Sequence, residues 1–355
     1  MPIGTSLSGG LDSSTVVAFC DKIASDQYAH TCFTAVFPGF EKDEQHHATL
    51  IANRFKLQHK LVTIEEIDVV DIMIAMMKQQ EEPMISASAL IQYKVYEAAK
   101  RAGVTVLLDG QGADEILAGY RKYYNWYWME LYKENKASLN VELHAARELG
   151  VKQTFGIKAR LAARLPQFAA ALQQNQKRKN AFRHSDLNRD FAFNNKENLY
   201  YSLPPHFDLK SALHFNTFQY GLENLLRLAD RNSMGHGIEV RLPFLSHELV
   251  EFLFTLPPSF KIHLGWTKWL LRKVSEPLLP KEIVWRKDKV GFEPPQKLWM
   301  KYKQVQEAIQ AGKQTLLDQG ILNANALNKK IQPHDAHAAE NNDWKYWAAS
   351  FLYKA

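Results

Sequence analysis

Residues 7–14 read Leu-Ser-Gly-Gly-Leu-Asp-Ser-Ser, set between a short apolar run and an apolar stretch of helical character. Gly9 and Gly10 let the backbone turn with no Cβ in the way, so successive N–H groups and the start of the next helix can converge on an anion. Ser8, Ser13 and Ser14 add hydroxyl donors. Asp12 adds a carboxylate, which repels phosphate unless a cation lies between them. The economical reading is a pyrophosphate cradle with a Mg²⁺ site, distinct from the Walker loop, whose Gly-Lys-Ser/Thr ending is absent here. The bland alternative is a turn that merely caps a helix, since Asp and Ser are good N-caps.

A second strand-to-helix turn is written at residues 107–120, Leu-Leu-Asp-Gly-Gln-Gly-Ala-Asp-Glu-Ile-Leu-Ala-Gly-Tyr. Gly110 and Gly112 allow close approach of a nucleotide. Asp114 and Glu115 open the following helix, where carboxylates can also do no more than complement the helix dipole. Paired with Asp12 on a neighbouring strand loop, however, Asp114 can complete an oxygen-ligand site, because Mg²⁺ typically takes one or two carboxylates plus phosphate and water oxygens.

Such turns need strands to carry them. Apolar runs at 3–7, 31–37, 60–64 and 104–108 predict buried parallel strands, with helices near 14–25, 43–56, 66–80 and 86–102 between them. The expected fold is a doubly wound α/β parallel sheet, whose ligands sit beyond the carboxyl ends of the strands. Those ends carry Ser8-Gly9-Gly10, Pro38-Gly39-Phe40 and Asp109-Gly110-Gln111-Gly112. Past about residue 120 the strand signal fades, and helical patterns continue at 138–149, 157–173, 207–230, 246–255 and 267–275. Residues 120–135 are dense in Tyr and Trp, which more often pack between helices than stack on bases. The segment 173–198, polar and low in aliphatics, is the best candidate for a mobile loop or insertion.

A chain of 355 residues with 46% hydrophobic side chains can bury a sizeable core. No apolar stretch approaches bilayer length and the first residues lack signal-peptide character, so a cytoplasmic protein with no membrane partner is expected. Cys20 and Cys32 form neither a CxxC nor a zinc pattern; both read as core residues, which counts against sulfur transfer. The net charge of +6 is uneven: residues 1–120 hold 9 Lys/Arg against 16 Asp/Glu, and the remainder 35 against 22. The basic run at 176–183 is more simply a solvated helix end or loop than a nucleic-acid site, and no nucleic-acid partner is expected.

Residues 7–14 resemble the PP-loop of ATP pyrophosphatases, enzymes that cleave ATP between its α and β phosphates. The likeness narrows with three further stretches. Residues 109–120 look like the motif Ser-Gly-Glu/Gln-Gly-Ser/Ala-Asp-Glu; 230–245, Asp-Arg-Asn-Ser-Met-Gly-His-Gly-Ile-Glu-Val-Arg-Leu-Pro-Phe-Leu, are similar to Asp-Arg-x-Ser-Met…Glu-x-Arg-x-Pro-Phe-Leu; and 286–292 look like a Lys-x-Gly-Phe element. In this order, over essentially the whole chain, they resemble the synthetase domain of glutamine-hydrolysing asparagine synthetases.

The resemblance implies an adenine nucleotide α-hydrolase-like sheet over residues 1–120 that binds ATP, and a mainly helical part of the same domain over 121–355. It also implies ATP and Mg²⁺, adenylation of aspartate to β-aspartyl-AMP, and displacement of AMP by ammonia. Ser8, Gly9, Gly10, Asp12, Ser13 and Ser14 would hold pyrophosphate, with Asp12 and Asp114 as metal ligands. Leu7, Val36 and Gly110 would line the adenine and ribose pocket, with Asp109 beside it, and Lys289 would set a point charge on the phosphates. Arg231, Glu239 and Arg241 read equally as substrate contacts or as a structural ion-pair network. Two departures stand out. Gln111 occupies a position where many members carry Glu, and a neutral amide cannot act as a base. This sequence starts at the edge of the ATP loop, without the N-terminal glutaminase domain and its nucleophilic Cys, as a fragment, a split gene product or a single domain would, so ammonia is expected to be free or to come from a separate glutaminase; a homodimer is a candidate assembly. Relatives with another acceptor share the adenylation step: β-lactam synthetases, peptide cyclases and sugar-acid amidotransferases. A tRNA-modifying protein and a non-catalytic partner are the readings of another class.

Overall fold

The computed structural model describes residues 2–24, 30–196, 208–287 and 293–353. Strands β1 (Ile3–Ser6), β2 (His30–Ala35), β3 (Gln58–Val62) and β4 (Val106–Leu108) fall close to the apolar runs. They alternate with helices α1 (Leu11–Ile23), α2 (Gln45–Arg54), α3 (Val69–Gln80) and α4 (Ser88–Arg101). Neighbouring side chains of a strand face opposite ways, and both faces are covered at the central strands. Cys32 packs with Val17 and Ile51 on one side. Phe33 packs with Met73, Leu90 and Tyr96 on the other. Double-sided burial is why the runs are continuous rather than alternating.

A fifth strand, β5 (Glu239–Arg241), completes a sheet of order β3-β2-β1-β4-β5, with every neighbouring pair parallel. The expectation that strands end near residue 120 therefore misses this one, as it misses a short two-stranded hairpin within residues 262–267. The three residues of β5, two of them charged and exposed, carry no apolar run to read. The chain runs outward from β1 to β3 and then returns to place β4 on the other side of β1. The β1/β4 junction is thus a topological switch point, where the loops after the two strands diverge and leave a crevice.

The later region is helical, as its patterns predict, with differences of detail. Residues near 207–230 form two helices, Leu209–Phe218 and Leu222–Met234, broken at Gly221, whose φ of 115° no helix accommodates. The segment read as a loop or insertion at 173–198 is largely helical over its described part, within Pro166–Phe182 and Arg189–Asn194, and 197–198 lie outside the described residues. Its Ala, Gln, Lys and Arg are good helix formers even with nothing covering them, so low aliphatic content forecast exposure rather than irregular backbone. The aromatic stretch gives helix Tyr123–Glu134, with Tyr123, Tyr124, Tyr127 and Trp128 buried as packing. No helix among the described residues is long and apolar enough to cross a membrane.

Candidate active site

At the carboxyl end of β1 the chain turns through Gly9, at φ 68°, into α1. The N-cap of α1 is Gly10, and no side chain caps it. Asp12 and the serines are therefore not spent on helix capping, and the helix start keeps its donors for an anion. The loop's hydroxyls bond among themselves: Ser8 Oγ lies 3.2 Å from Ser13 Oγ and accepts from Gly10 N at 3.2 Å. Ser14 Oγ is buried without a partner.

The turn after β4 packs directly on this loop. A Cβ on Gly110 would lie 2.9 Å from Asp12 Cβ and 2.9 Å from Ser13 N, so only glycine permits the contact. Asp109 ties the two strand ends together, accepting from Ser6 N at 3.1 Å and Tyr96 Oη–H at 3.3 Å. Burial raises its pKa despite those bonds. The turn then opens the short helix α5 (Ala113–Ile116), again with a glycine N-cap and no capping side chain. Glu115 accepts from the Tyr120 hydroxyl at 2.7 Å, with its pKa raised by burial.

Asp114 and Asp12 converge on a residue that sequence reasoning missed. Lys268 Nζ lies 2.5 Å from Asp12 Oδ2 and 2.7 Å from Asp114 Oδ1, with 4% of its side chain exposed. Burial works against its charge, but the two carboxylates prevail and raise its pKa. The lysine is delivered by an antiparallel hairpin, β6 (Ile262–His263) and β7 (Trp266–Thr267). The hairpin turn is clamped by Glu142, which accepts from Leu264 N at 2.8 Å and Gly265 N at 2.9 Å, and by the Tyr124 hydroxyl donating to Gly265 O at 2.6 Å. Behind it, helix Trp269–Ser275 docks on α1 through Ser275 Oγ, 2.8 Å from Thr15 Oγ1. The one available signal was a lysine set in the apolar, tryptophan-flanked run Trp-Thr-Lys-Trp-Leu-Leu at 266–271.

Two adjoining cavities meet at this cluster. The first, about 280 Å³, is lined by Leu7, Ser8, Gly10, Asp12, Ser13, Asp109, Gly110, Gln111 and Asp114, with Phe33, Ala35 and Val95 as apolar wall. The second, about 470 Å³, shares Gln92, Gln111, Asp114, Thr267, Arg272 and Arg286 with it and adds Tyr120, Tyr124, Leu225, Leu228 and Trp266. Arg272 donates to Thr267 O at 2.8 Å and to Val284 O, and burial pulls its pKa down to about 10. Arg286 pairs with Glu44 at 2.9 Å. Gln111 Oε1 is buried with no partner.

Not every expected residue comes to the cleft. Val36 is buried and its N–H donates to Val62 O at 2.9 Å, while Ala35 takes the lining position. Gly9 and Ser14 stand behind the wall. Arg231 reaches Gln80 O and Glu81, and Arg241 pairs with Glu239 at 2.8 Å on an exposed edge; none of the three lines either cavity. Lys289 lies outside the described residues. Burial pushes the Cys32 thiol up to about 12 and raises that of Cys20, the reverse of thiol activation.

The acidic pair suits a small hard cation. Two carboxylates on separate loops already face one cationic group, and Asp12 Oδ1 is buried without a partner. Among the described residues no group of three or more His, Cys, Asp or Glu side chains gathers. Two carboxylates are a usual protein contribution for Mg²⁺, with phosphate and water supplying the rest.

The family model for asparagine synthase matches residues 1–352. The chain is 23% identical over 356 residues to the glutamine-hydrolyzing asparagine synthetase 1 of Bacillus subtilis, covering 98% of this chain and 54% of that protein. Asparagine synthetase 3 of the same organism is 26% identical over 307 residues, 81% of this chain and 44% of that protein. The glutamine-hydrolyzing asparagine synthetase of Cricetulus griseus is 48% identical over 61 residues, 16% of this chain and 11% of that protein. The chain spans about half the length of the two Bacillus relatives it matches.

Proposed function

This chain belongs to the asparagine synthase family, and from that premise we propose that it is an ATP-dependent amide-forming ligase that adenylates the β-carboxylate of aspartate and passes the acyl group to ammonia. The observation that carries the reading is the convergence of Asp12 and Asp114 on one cationic position at the switch point, beside the uncapped start of α1. A free carboxylate is a poor electrophile, because its charge repels nucleophiles and its oxygen leaves badly. Adenylation removes both obstacles.

In this reading the adenine lies against Leu7, Phe33, Ala35 and Val95. Ser8, Gly10, Ser13 and the first N–H groups of α1 hold the pyrophosphate. A side-chain oxygen of aspartate attacks the α-phosphorus, the bond from that phosphorus to the bridging oxygen breaks, and pyrophosphate leaves with the electron pair. Ammonia then attacks the acyl carbon, AMP leaves, and the nitrogen gives up a proton. When bound by Asp12 and Asp114, Mg²⁺ neutralises charge on the leaving pyrophosphate. Gln111 Oε1, buried and unpartnered, accepts an N–H from the incoming ammonia. Its amide cannot take the proton, which passes to water or another base. Arg272, at the junction of the two cavities, faces the acceptor's negative charge. Lys289 is assigned to the phosphates on the family motif. Ammonia comes from solution or from a glutaminase domain, joined or separate.

ATP–pyrophosphate exchange tests the reading. Aspartate should stimulate exchange strongly over a panel of other acids, and ammonium should convert the adenylate to asparagine. A second reading has a specific observation behind it: the acceptor cavity, walled by Tyr120, Tyr124 and Trp266, has more room than free aspartate fills. Exchange driven by a bulkier amino acid, a peptide or a sugar acid, with aspartate inert, would replace aspartate as the acceptor and leave the ligase chemistry in place.

A further inference from the structure

Lys268 occupies the position between the two carboxylates that the proposed metal would need. It is not a passing contact. Its backbone is left-handed, at φ 53° and ψ 35°. The glycine across from it makes room for both groups: a Cβ on Gly119 would lie 1.7 Å from Asp114 Oδ1 and 2.2 Å from Lys268 Cε. The hairpin that delivers it is clamped at its turn by Glu142 and Tyr124. The bridge is therefore built by several independent contacts. One ammonium is nevertheless shared between two acids, and Asp12 Oδ1 is left unpartnered.

We infer that Lys268 is an internal counter-ion that holds the Asp12–Asp114 pair together before metal enters, and that a divalent cation binds the pair only as the ammonium gives up its carboxylate oxygens. The inference rests on the metal-site reading above. Without Lys268 the cation between the two carboxylates is gone, and their mutual repulsion spreads them. With it, the site is pre-shaped but blocked. A nucleotide resolves the conflict, because its phosphates offer the displaced ammonium new partners while they complete the coordination of the metal. Lys268 then couples metal to nucleotide: the cation alone binds weakly, and cation and nucleotide together bind well.

The experiment is a Mn²⁺ titration of the whole chain, read by the loss of free-Mn²⁺ electron paramagnetic resonance signal, without nucleotide. Lys268→Met removes the competing charge at similar volume and should tighten Mn²⁺ at least about tenfold, a modest fraction of what a broken buried charge pair can carry. The gain should vanish in Lys268→Met/Asp114→Asn. Unchanged or weaker binding in Lys268→Met, with Asp114→Asn lowering it further, overturns the counter-ion role and spares the metal site. Equal binding in the single and double variants instead removes the metal from this carboxylate pair, and the site reading fails with it. Lys268→Gln, which keeps donors but no charge, covers the case in which Met is not tolerated. A variant recovered folded only when Mn²⁺ is present supports the inference. One that stays unfolded with and without the metal makes Lys268 purely architectural and overturns it.

Discussion

Lys268 in the cleft and Lys313 in the C-terminal helices are ammonium groups with almost no exposed surface, 4% and 1% of the side chain respectively. Lys313, in helix Lys303–Asp318, meets Asp343 Oδ1 of helix Asn342–Ser350 at 2.5 Å, and the other oxygen of Asp343 accepts from Gln332 N at 2.8 Å. One base answers one acid, both acid oxygens are used, and the neighbouring Trp344 and Trp347 are core. In the cleft, one ammonium is shared between two acids, an oxygen of Asp12 is orphaned, and two cavities open beside it. Burial and an ion pair are common to both. What separates a site from a strut is a shared cation and an orphaned acceptor at a place where a ligand can enter.

The largest expected effect breaks the cleft side of this comparison. Asp12→Asn and Asp114→Asn should each cut ATP–pyrophosphate exchange by about a thousandfold or more, several kcal/mol of lost charge stabilisation, with circular dichroism unchanged. Exchange at the parent rate in either variant would dissolve the distinction. On the other side, Lys313→Met leaves the half-buried Asp343 without its ion pair and should cost about 3 kcal/mol of stability in urea unfolding. The Mn²⁺ affinity of the folded fraction should stay at the parent value; a change there would mean that the helical pair communicates with the cleft.

A third measurement sharpens the contrast at the opposite end of the sheet. His30 opens β2, with Nε2 2.7 Å from Thr5 Oγ1, and burial lowers its pKa to about 4, against a smaller opposing pull from Asp21. The unfolded chain therefore takes up this proton first. Stability from the neutral imidazole is complete above about pH 6.5 and is lost as the pH falls toward 4, about 3 kcal/mol in all. Urea midpoints from pH 7.5 to 4 should show that slope, and His30→Gln should flatten it; an equal slope in the variant would assign the loss to other groups. Smallest of all is Arg241→Gln. Its pair with Glu239 is more than half exposed and should be worth less than about 1 kcal/mol, with exchange activity within about twofold of the parent. A large loss of activity would return Arg241 to the substrate.

Much of this was legible because the carriers are local. The loop after β1 and the turn after β4 announced themselves through glycines between an apolar run and a helix, and the central strands through continuous double-sided burial, whereas the edge strand β3 is mostly exposed. β5 was not, since Glu239 and Arg241 are exposed and only Val240 between them reaches the sheet core. Arg231 and Arg241 looked as much like substrate contacts as struts, because a motif records which residues recur together and not which way their side chains face.

By itself the sequence determined the chemistry of the two loops, the parallel strands beneath them and the donors available to an anion, all set by residues within a few positions of one another. Only the tertiary structure decided that the loops meet. Strand order places β4 beside β1, and Gly110 lets the second turn press on Asp12. Only the tertiary structure brought Lys268 between the acids, 256 positions along the chain from Asp12. The reason is electrostatic: a lysine buried in an apolar run is unfavourable on its own and becomes favourable only where its charge is met, here by carboxylates from two helix starts on either side of a crossover.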